Sequence, residues 1–422
     1  MRAKKQRLLS PLLLWFMGTM ILANIAAMMI FPLESLYVQE LGATVEQVGL
    51  FFTIAAVVPL VFQVFGGWLS DSIGRLQAIA LGSVGGVLAY IFYIFAPSWG
   101  WLLPASVLSS VATAFVAPSF QAFIAEESSE EKRGRVYGIT SSMFLVVNII
   151  GPLVGGAVAE GLSFTVLYLV AGGLYSVAAI IRVFMARYAS RRDKEVGRSA
   201  DKPSLGGFKK SLLAVGGLVV SGGVVTWIFI SDGVRDVAFS LVGRLMPLYL
   251  ENEMGLSLFQ ISALQSVTAV VAMALMSPAG WFSDRRGERL SIVSGFGAIS
   301  IGWVVFLVGS DFGHFVLSRA VVGVGWALID PAYSSLISKV VPEKLRGTAF
   351  GLFSTSLGLI SLPAPWIGAS LWESVSPIFP FYVPLVALVA MLPLMWFKFK
   401  LPPEPAVDTG DGAAAAIEAA AE

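Results

Sequence analysis

Twelve long apolar segments, separated by short polar stretches, constrain the fold of this chain more than any other feature of its sequence. A helix needs about 20 mostly apolar residues to cross the hydrocarbon core of a bilayer, and each segment reaches that length. Only 13% of the 422 residues are charged, whereas soluble domains carry about 25%, so the expected solvent is lipid. We predict an all-α integral membrane protein with spanning helices near residues 11–36, 46–69, 77–97, 101–124, 136–158, 164–186, 226–250, 259–282, 290–309, 314–338, 347–371 and 376–397.

The positive charges predict the orientation of these helices. Of the 28 Lys and Arg residues, 24 lie at the termini and in alternate loops, while the intervening loops carry acids such as Glu40, Glu160 and Asp311. Because cytoplasmic loops collect Lys and Arg, we expect both termini to be cytoplasmic. This pattern is typical of a multi-pass protein of the cytoplasmic membrane of a prokaryote.

The chain divides into two halves of six predicted helices each. We expect an N-terminal bundle at 1–186, a cytoplasmic linker at 187–225, a C-terminal bundle at 226–398 and a disordered acidic tail at 399–422. The linker is polar and basic over 187–210, whereas 205–225 is fairly apolar and rich in glycine, and an interfacial helix that leads into the seventh span is the alternative there.

The two halves are predicted to be copies of one bundle. Gly67 and Gly280 differ by 213 positions, and Asp71 and Asp284 differ by the same 213. The offset recurs along several loops and helices, which indicates a parallel repeat. Parallel repeats of this kind support transport by rocking one bundle against the other around a central site.

The loop sequence GGWLSDSIGR, its copy AGWFSDRRGE, and the pair RGRVYG and RGTAFG resemble motifs of the major facilitator superfamily of secondary transporters. The resemblance covers about residues 10–398 and implies a cytoplasmic gate. It implies that Asp71 meets the start of helix 11 and that Arg75 pairs with Glu126 at the end of helix 4. A plain loop that holds charge at the cytoplasmic face remains the alternative. The predicted gate residues are Gly67, Asp71, Gly74, Arg75, Glu126, Gly280, Asp284, Arg285 and Gly287.

The fifth predicted helix contains GITSSMFLVVNIIGPLVGG at residues 138–156, which resembles a signature of antiporters. The resemblance implies exchange of drugs or other small molecules for protons. Glycines spaced by four also let helices approach closely, so ordinary helix packing is the alternative explanation. The residues that carry this motif are Gly138, Gly151, Pro152, Gly155 and Gly156.

Charges inside predicted spans mark a cavity or an ion pair, because each costs about 2.5–3.5 kcal/mol at the centre of a membrane on insertion scales. We expect Glu34, with Arg244 or Arg319, to help close the outer side. One of Asp232, Asp236 or Asp330 would exchange the coupling proton. A static Asp232–Arg235 pair is the alternative for the seventh helix. Arg182 is expected to extend towards the membrane surface from a helix end. The set of cavity residues is Glu34, Asp232, Arg235, Asp236, Arg244, Arg319 and Asp330.

These features favour a secondary active transporter that works by alternating access. The first hypothesis is proton-coupled export of small organic or drug-like molecules, and the second is an importer or facilitator of a small metabolite such as a sugar or an organic anion. The chain has no Cys, a single His and no phosphate-binding loop, so we expect neither an enzyme nor a cofactor or metal site. The expected partners are a small-molecule substrate, protons and the lipid bilayer. We expect no nucleic acid, because the net charge is only +1, and we expect a monomer.

Overall fold

A computed structural model describes residues 11–128, 133–196, 224–340 and 358–399, and these residues form helices and no strand. The predicted acidic tail beyond residue 399, most of the predicted linker and the first part of the eleventh predicted span lie outside the described residues. The described α-helices are α1 (Pro11–Ile30), α2 (Glu34–Glu40), α3 (Val45–Ile73), α4 (Arg75–Ile94), α5 (Leu102–Glu127), α6 (Arg133–Gly161), α7 (Phe164–Val196), α8 (Val224–Gly243), α9 (Met246–Asn252), α10 (Leu258–Arg286), α11 (Glu288–Val308), α12 (Phe312–Val340), α13 (Ala364–Ser374) and α14 (Tyr382–Lys398). Two short 3₁₀ helices, Trp99–Trp101 and Phe379–Phe381, precede α5 and α14.

Nine helices in the described part of the chain are long and apolar enough to cross a membrane. Their outward faces carry large apolar side chains, of which Leu81, Ile180 and Ile301 are 51%, 56% and 60% exposed. So much exposed apolar surface is stable only against lipid. The all-helical membrane fold is therefore confirmed, whereas the count of twelve spans stays a prediction.

The first and seventh predicted spans are each broken, so the predictions of continuous helices at 11–36 and 226–250 are wrong. A turn separates α1 from α2, and another separates α8 from α9. Pro32 lies in the first turn, and Pro247 lies in the first turn of α9. Because proline lacks an N–H and clashes with the preceding turn of a helix, the chain begins a new helix there. In the opposite sense, α7 continues to Val196, beyond the predicted start of the linker.

Helix packing repeats when each helix number is raised by seven. Helix α1 packs against α6 and α7, and α8 packs against α13 and α14; α3 packs against α5, and α10 packs against α12. The backbone repeats as well, because Gly42 and Gly255 have φ of 90° and 66°, and Gly74 and Gly287 have φ of 101° and 86°. Both glycine pairs are 213 residues apart. The predicted parallel repeat is confirmed.

The two halves meet along two equivalent seams. Helix α6 packs against α10, and α13 packs against α3, so each seam joins the sixth helix of one half to the third helix of the other. A cavity lies between these seams, with walls from both halves.

Candidate functional site

The cavity between the halves has a volume of about 730 Å³ and brings most of the predicted charges together. It lies where α2, α3 and α5 of the first half face α8, α9, α10 and α12 of the second. Hydroxyl groups of α5 and aromatic rings of α8, α11 and α12 form part of its wall. The predicted charges that line it are Glu34, Arg235, Asp236, Arg244 and Arg319.

An ion pair joins the halves at the two helix breaks. Arg244 Nη1 donates to Glu34 Oε2 at 2.9 Å, and the guanidinium lies 4.3 Å and 4.9 Å from the ring centroids of Phe52 and Phe31. Tyr93 Oη donates to the other carboxylate oxygen at 3.4 Å. Of the two partners left open for Glu34, the structure places Arg244 beside it; its role in closure stays a prediction.

The acidic residues of α8 have different surroundings. Asp232 is 7% exposed, and its Oδ1 lies 3.1 Å from Arg235 Nη1, in an ion pair without a well-aligned hydrogen bond. Asp236 lies one turn further along the helix and lines the cavity. Among the described residues it forms no ion pair. The Asp232–Arg235 pair considered for this helix is therefore present, and Asp236 is the carboxylate of α8 that lines the cavity.

The two charges of α12 lie in different places. Arg319 lines the cavity, and among the residues that the structure describes its guanidinium has no acidic partner. Asp330 is exposed and does not line the cavity. Eleven residues of helix extend about 16 Å, which carries Asp330 beyond the cavity. Asp330 therefore does not line the cavity with the other predicted residues, although the charge of Arg235 still acts on it.

The end of the molecule that carries α2 and α9, called the closed end below, is held by bonds between the halves. Asn252 Nδ2 donates to Gln39 Oε1 at 3.2 Å, and Phe259 N donates to Glu160 Oε2 at 2.7 Å. Burial, and then the charge of Glu40, raises the pKa of the Glu251 carboxyl at this end. The closed end therefore combines direct bonds between the halves with a carboxyl that holds its proton more tightly than usual.

Each predicted gate loop contains a glycine with positive φ directly before the next helix. Gly74 precedes α4 with φ of 101°, and Gly287 precedes α11 with φ of 86°, a region that favours glycine. Asp284 and Arg285 are exposed, and Arg285 lies over the ring of Trp281 at 4.4 Å.

The structure describes the other predicted gate residues only in part. Arg75 is the first residue of α4, and no atom lies within 4 Å of the place that a Cβ at Gly280 would occupy. The side chains of Asp71 and Glu126 lie outside the described residues, as do the surroundings of Gly67. The pairing of Arg75 with Glu126 stays a prediction.

The second gate loop holds an ion pair that the sequence did not predict. Lys339 Nζ lies 2.6 Å from Glu288 Oε1, which also accepts from Ser335 Oγ at 2.7 Å. Subtracting 213 aligns Glu288 with Arg75 and Lys339 with Glu126. The 213-residue offset could therefore have predicted this pair. The same two repeat positions carry opposite charges in each half, with the signs exchanged between the halves.

The glycines of the α6 motif lie at tight helix contacts. A Cβ at Gly155 would meet the Met29 backbone of α1, and one at Gly151 would meet Met28. A Cβ at Gly156 would lie 2.7 Å from Ser262 Cβ of α10, across the seam, whereas the space beside Gly138 is open. Pro152 lies inside α6.

The glycine contacts repeat in the second half. A Cβ at Gly368 of α13 would meet the Leu241 carbonyl of α8, as Gly155 meets α1. At the other seam, a Cβ at Gly49 would lie 2.5 Å from Ala369 Cβ. Gly49 aligns with Ser262, and Ala369 aligns with Gly156. Each seam is therefore a close crossing at the same repeat positions.

Arg182 is a buried residue, so its prediction as a residue that reaches towards the membrane surface is wrong. It is 2% exposed. Its Nε donates to Thr19 Oγ1 at 3.2 Å, its Nη1 to Ser83 Oγ at 3.0 Å, and its Nη2 to the Thr19 carbonyl at 3.2 Å. These acceptors of α1 and α4 satisfy the guanidinium, which explains why it remains inside the first half.

Comparisons with known proteins agree with this architecture. The sequence profile of the Major Facilitator Superfamily matches residues 15–232 and 228–419. The chain is 25% identical over 330 residues to an uncharacterised transporter of this superfamily from Methanocaldococcus jannaschii, covering 78% of this chain and 83% of that protein. It is 23% identical over 372 residues to the multidrug resistance efflux pump PmrA of Streptococcus pneumoniae, covering 84% and 87%. It is 23% identical over 348 residues to the quinolone resistance protein NorA of Staphylococcus aureus, covering 82% and 86%.

Solved structures share the fold at lower sequence identity. An inward-facing bacterial homologue of the iron transporter ferroportin superposes with a TM-score of 0.73 at 16% identity, over 92% of this chain and 98% of that chain. A nucleoside transporter superposes with a TM-score of 0.74 at 12% identity, over 92% and 99%. The profile covers both halves of a helical membrane repeat built around a cavity, and such proteins are transporters, not enzymes. The chain is thus a multi-pass membrane protein that belongs to the major facilitator superfamily.

Proposed function

We propose that this protein exports small organic molecules by alternating access and that protons entering through the same cavity drive the export. The observation that carries the proposal is the cavity between the two halves, with Asp236 on its wall and ion pairs around it. The names of the relatives PmrA and NorA, an efflux pump and a drug resistance protein, support the direction. The α6 motif supports exchange with protons.

The position of the closed end indicates on which side of the membrane the cavity is shut. With both termini in the cytoplasm, as the charge distribution predicts, the end that carries α2 and α9 is extracellular. The bonds of Glu34 to Arg244 and of Gln39 to Asn252 then hold the extracellular side shut. Substrate would enter from the cytoplasm and leave when these bonds break. One charge-assisted bond and one bond between neutral amides are strong enough to bias such an equilibrium and weak enough to break in each cycle.

Asp236 is the proposed proton carrier. Asp232 has Arg235 as a partner, and Asp330 does not line the cavity. A carboxylate without a partner in a cavity within a membrane is costly, and a proton removes its charge. Protonation would therefore let the empty carrier return, and deprotonation on the cytoplasmic side would prepare it for substrate.

The test uses everted membrane vesicles with an acidic interior and a panel of fluorescent aromatic probes with positive, neutral or negative charge. Wild-type protein is expected to accumulate probe until the gradient is dissipated. Asp236→Asn should lose this uphill accumulation but keep counterflow exchange of probe for probe, and the exposed-loop variant Asp311→Asn is the matched control. Full uphill transport by Asp236→Asn would contradict the assignment of the carrier. Collapse of the gradient when a sugar or organic acid is added, without accumulation of any probe, would favour the importer.

A further inference from the structure

Among the described residues, Arg319 is the cavity cation without an acidic partner. Of the three arginines on the wall, Arg244 pairs with Glu34 at 2.9 Å, and Arg235 pairs with Asp232 at 3.1 Å. Arg319 forms no ion pair with any residue that the structure describes. A guanidinium is always charged and offers several donors in a planar fork, so its charge faces the space where substrate would bind.

The surroundings of Arg319 fix its backbone but leave its head group available. Thr268 Oγ1 donates to the Arg319 carbonyl at 3.3 Å, which ties α12 to α10 at this level. The repeat counterpart of Arg319 is Ser106 of α5, which also lines the cavity. At this repeat position the cation is therefore present in one half only, and Ser106, Ser109 and Ser110 line the same cavity.

Aromatic rings lie on the same half of the cavity as Arg319. The ring centroid of Phe239 lies 5.8 Å from that of Trp303 and 6.3 Å from that of Trp326, and all three side chains line the cavity. The ring planes are inclined at 52° and 46°, so the wall offers ring faces and edges, and an aromatic molecule can bind there by offset or edge-to-face contact and by area burial. A cavity of about 730 Å³ lies in the range of about 300–1,000 Å³ that holds drug-sized ligands.

We propose that Arg319 is an anion-binding site and that the transported molecules are aromatic organic acids, with a carboxylate, sulfonate or phosphonate on the guanidinium and a ring system against the Trp303–Phe239–Trp326 wall. This inference rests on the proposed function, which it narrows to a substrate class. The two oxygens of such an acid match the paired donors of a guanidinium. The serine hydroxyls of α5, which line the same cavity, are donors for a remaining oxygen of the bound acid.

The experiment measures binding of matched pairs of ligands to purified full-length protein in lipid nanodiscs. The probes are 1-naphthoate with 1-naphthamide, coumarin-3-carboxylate with coumarin-3-carboxamide, and naphthalene-1-sulfonate with its sulfonamide. Dissociation constants come from quenching of tryptophan fluorescence and are checked by thermal stabilisation. The variants are Arg319→Gln and Arg319→Lys, and Arg289→Gln removes a cation outside the cavity, where Arg289 contacts Trp396.

Wild-type protein should bind each acid about tenfold or more tightly than its amide, the value of one charge-assisted bond. Arg319→Gln should abolish this preference with little change in amide binding, Arg319→Lys should keep part of it, and Arg289→Gln should leave it intact. A wild type that prefers no acid over its amide would overturn the substrate class, and so would the absence of binding by every acid. A preference that survives in Arg319→Gln would overturn the site. If Arg319→Gln does not fold, the wild-type preference and Arg319→Lys decide.

The same measurements separate this inference from the proposed function. Gradient-driven export of neutral or cationic probes without any preference for acids would contradict the anion site and would still support proton-coupled export. Binding of acids at Arg319 without gradient-driven movement of any probe would do the reverse.

Discussion

Replacement of Arg244 by glutamine should open the closed end. The side chain makes a 2.9 Å bond to Glu34, and its guanidinium lies 4.3 Å from the ring centroid of Phe52. A charge-assisted hydrogen bond contributes about 1.5–3 kcal/mol, and the lower value applies because the two side chains are 30% and 18% exposed. The cation–π contact adds about 0.5 kcal/mol. The total of about 2 kcal/mol corresponds to about a 30-fold change in the ratio of closed to open protein.

A single cysteine reports this change. The chain has no natural Cys, and Ser35 is 2% exposed and lines the cavity, so Ser35→Cys supplies one thiol behind the closed end. A membrane-impermeant maleimide, added only from the side of α2 and α9, reacts in proportion to the open fraction. Labelling should accelerate by up to about 30-fold in Arg244→Gln. Glu34→Gln should act in the same direction, and the double variant should add little, because both changes remove one bond.

Arg289→Gln is the control, because it removes an arginine from the opposite end of the molecule. Labelling of Arg244→Gln and Glu34→Gln within about twofold of the parent rate would refute the reasoning, since the pair would then contribute nothing to closure. An equal acceleration by Arg289→Gln would also refute it, because the effect would then be general loosening of the fold.

Three further predictions concern helix packing, the second gate loop and pH. Gly155→Ala should destabilise the protein by about 1–3 kcal/mol through overpacking and so lower its thermal unfolding temperature in detergent. Gly138→Ala, with open space beside it, should not. Glu288→Lys and Lys339→Glu should each destabilise the protein by about 1 kcal/mol and the exchanged pair should recover most of it, a double-mutant cycle that fails if the two losses simply add. Because burial and the nearby carboxylate of α2 raise the pKa of Glu251 in the closed end, the closed form binds its proton more tightly than the open form does. Stabilisation is then present at low pH and is lost as pH rises through the raised pKa, so acidification should slow thiol labelling more in the parent than in Glu251→Gln, because loss of the reactive thiolate slows both proteins alike.

The helices and the repeat were predictable because they depend on local composition and on spacing. Apolar length determines where helices cross a membrane, and the 213-residue offset that joins Gly74 to Gly287 holds in the backbone angles as well as in the letters. The breaks at Pro32 and Pro247 were also readable in principle, because proline interrupts a helix wherever its missing N–H is needed.

The side-chain partners were less predictable, because they depend on how each helix is rotated against its neighbours. Arg244 and Arg319 were equivalent candidates to pair with Glu34 until the helix breaks placed Arg244 beside it. Arg182 looked like an end residue because its acceptors, Thr19 and Ser83, are on helices distant in sequence. The sequence spacing gives about 16 Å between Arg319 and Asp330, but where the cavity ends along α12 depends on how the helices pack.

The most direct test of the account measures both ends of the molecule at once. Pulsed electron spin resonance distances would be taken between labels at Glu40 and Glu253 on the closed end, and between labels at Ile73 and Arg286 on the opposite end, in lipid with a proton gradient and a transported probe. Both pairs join exposed residues 213 positions apart. The account predicts that the first distance lengthens while the second shortens, because the two halves rock about the seams. Distances that stay fixed, or that change in the same direction, would contradict it.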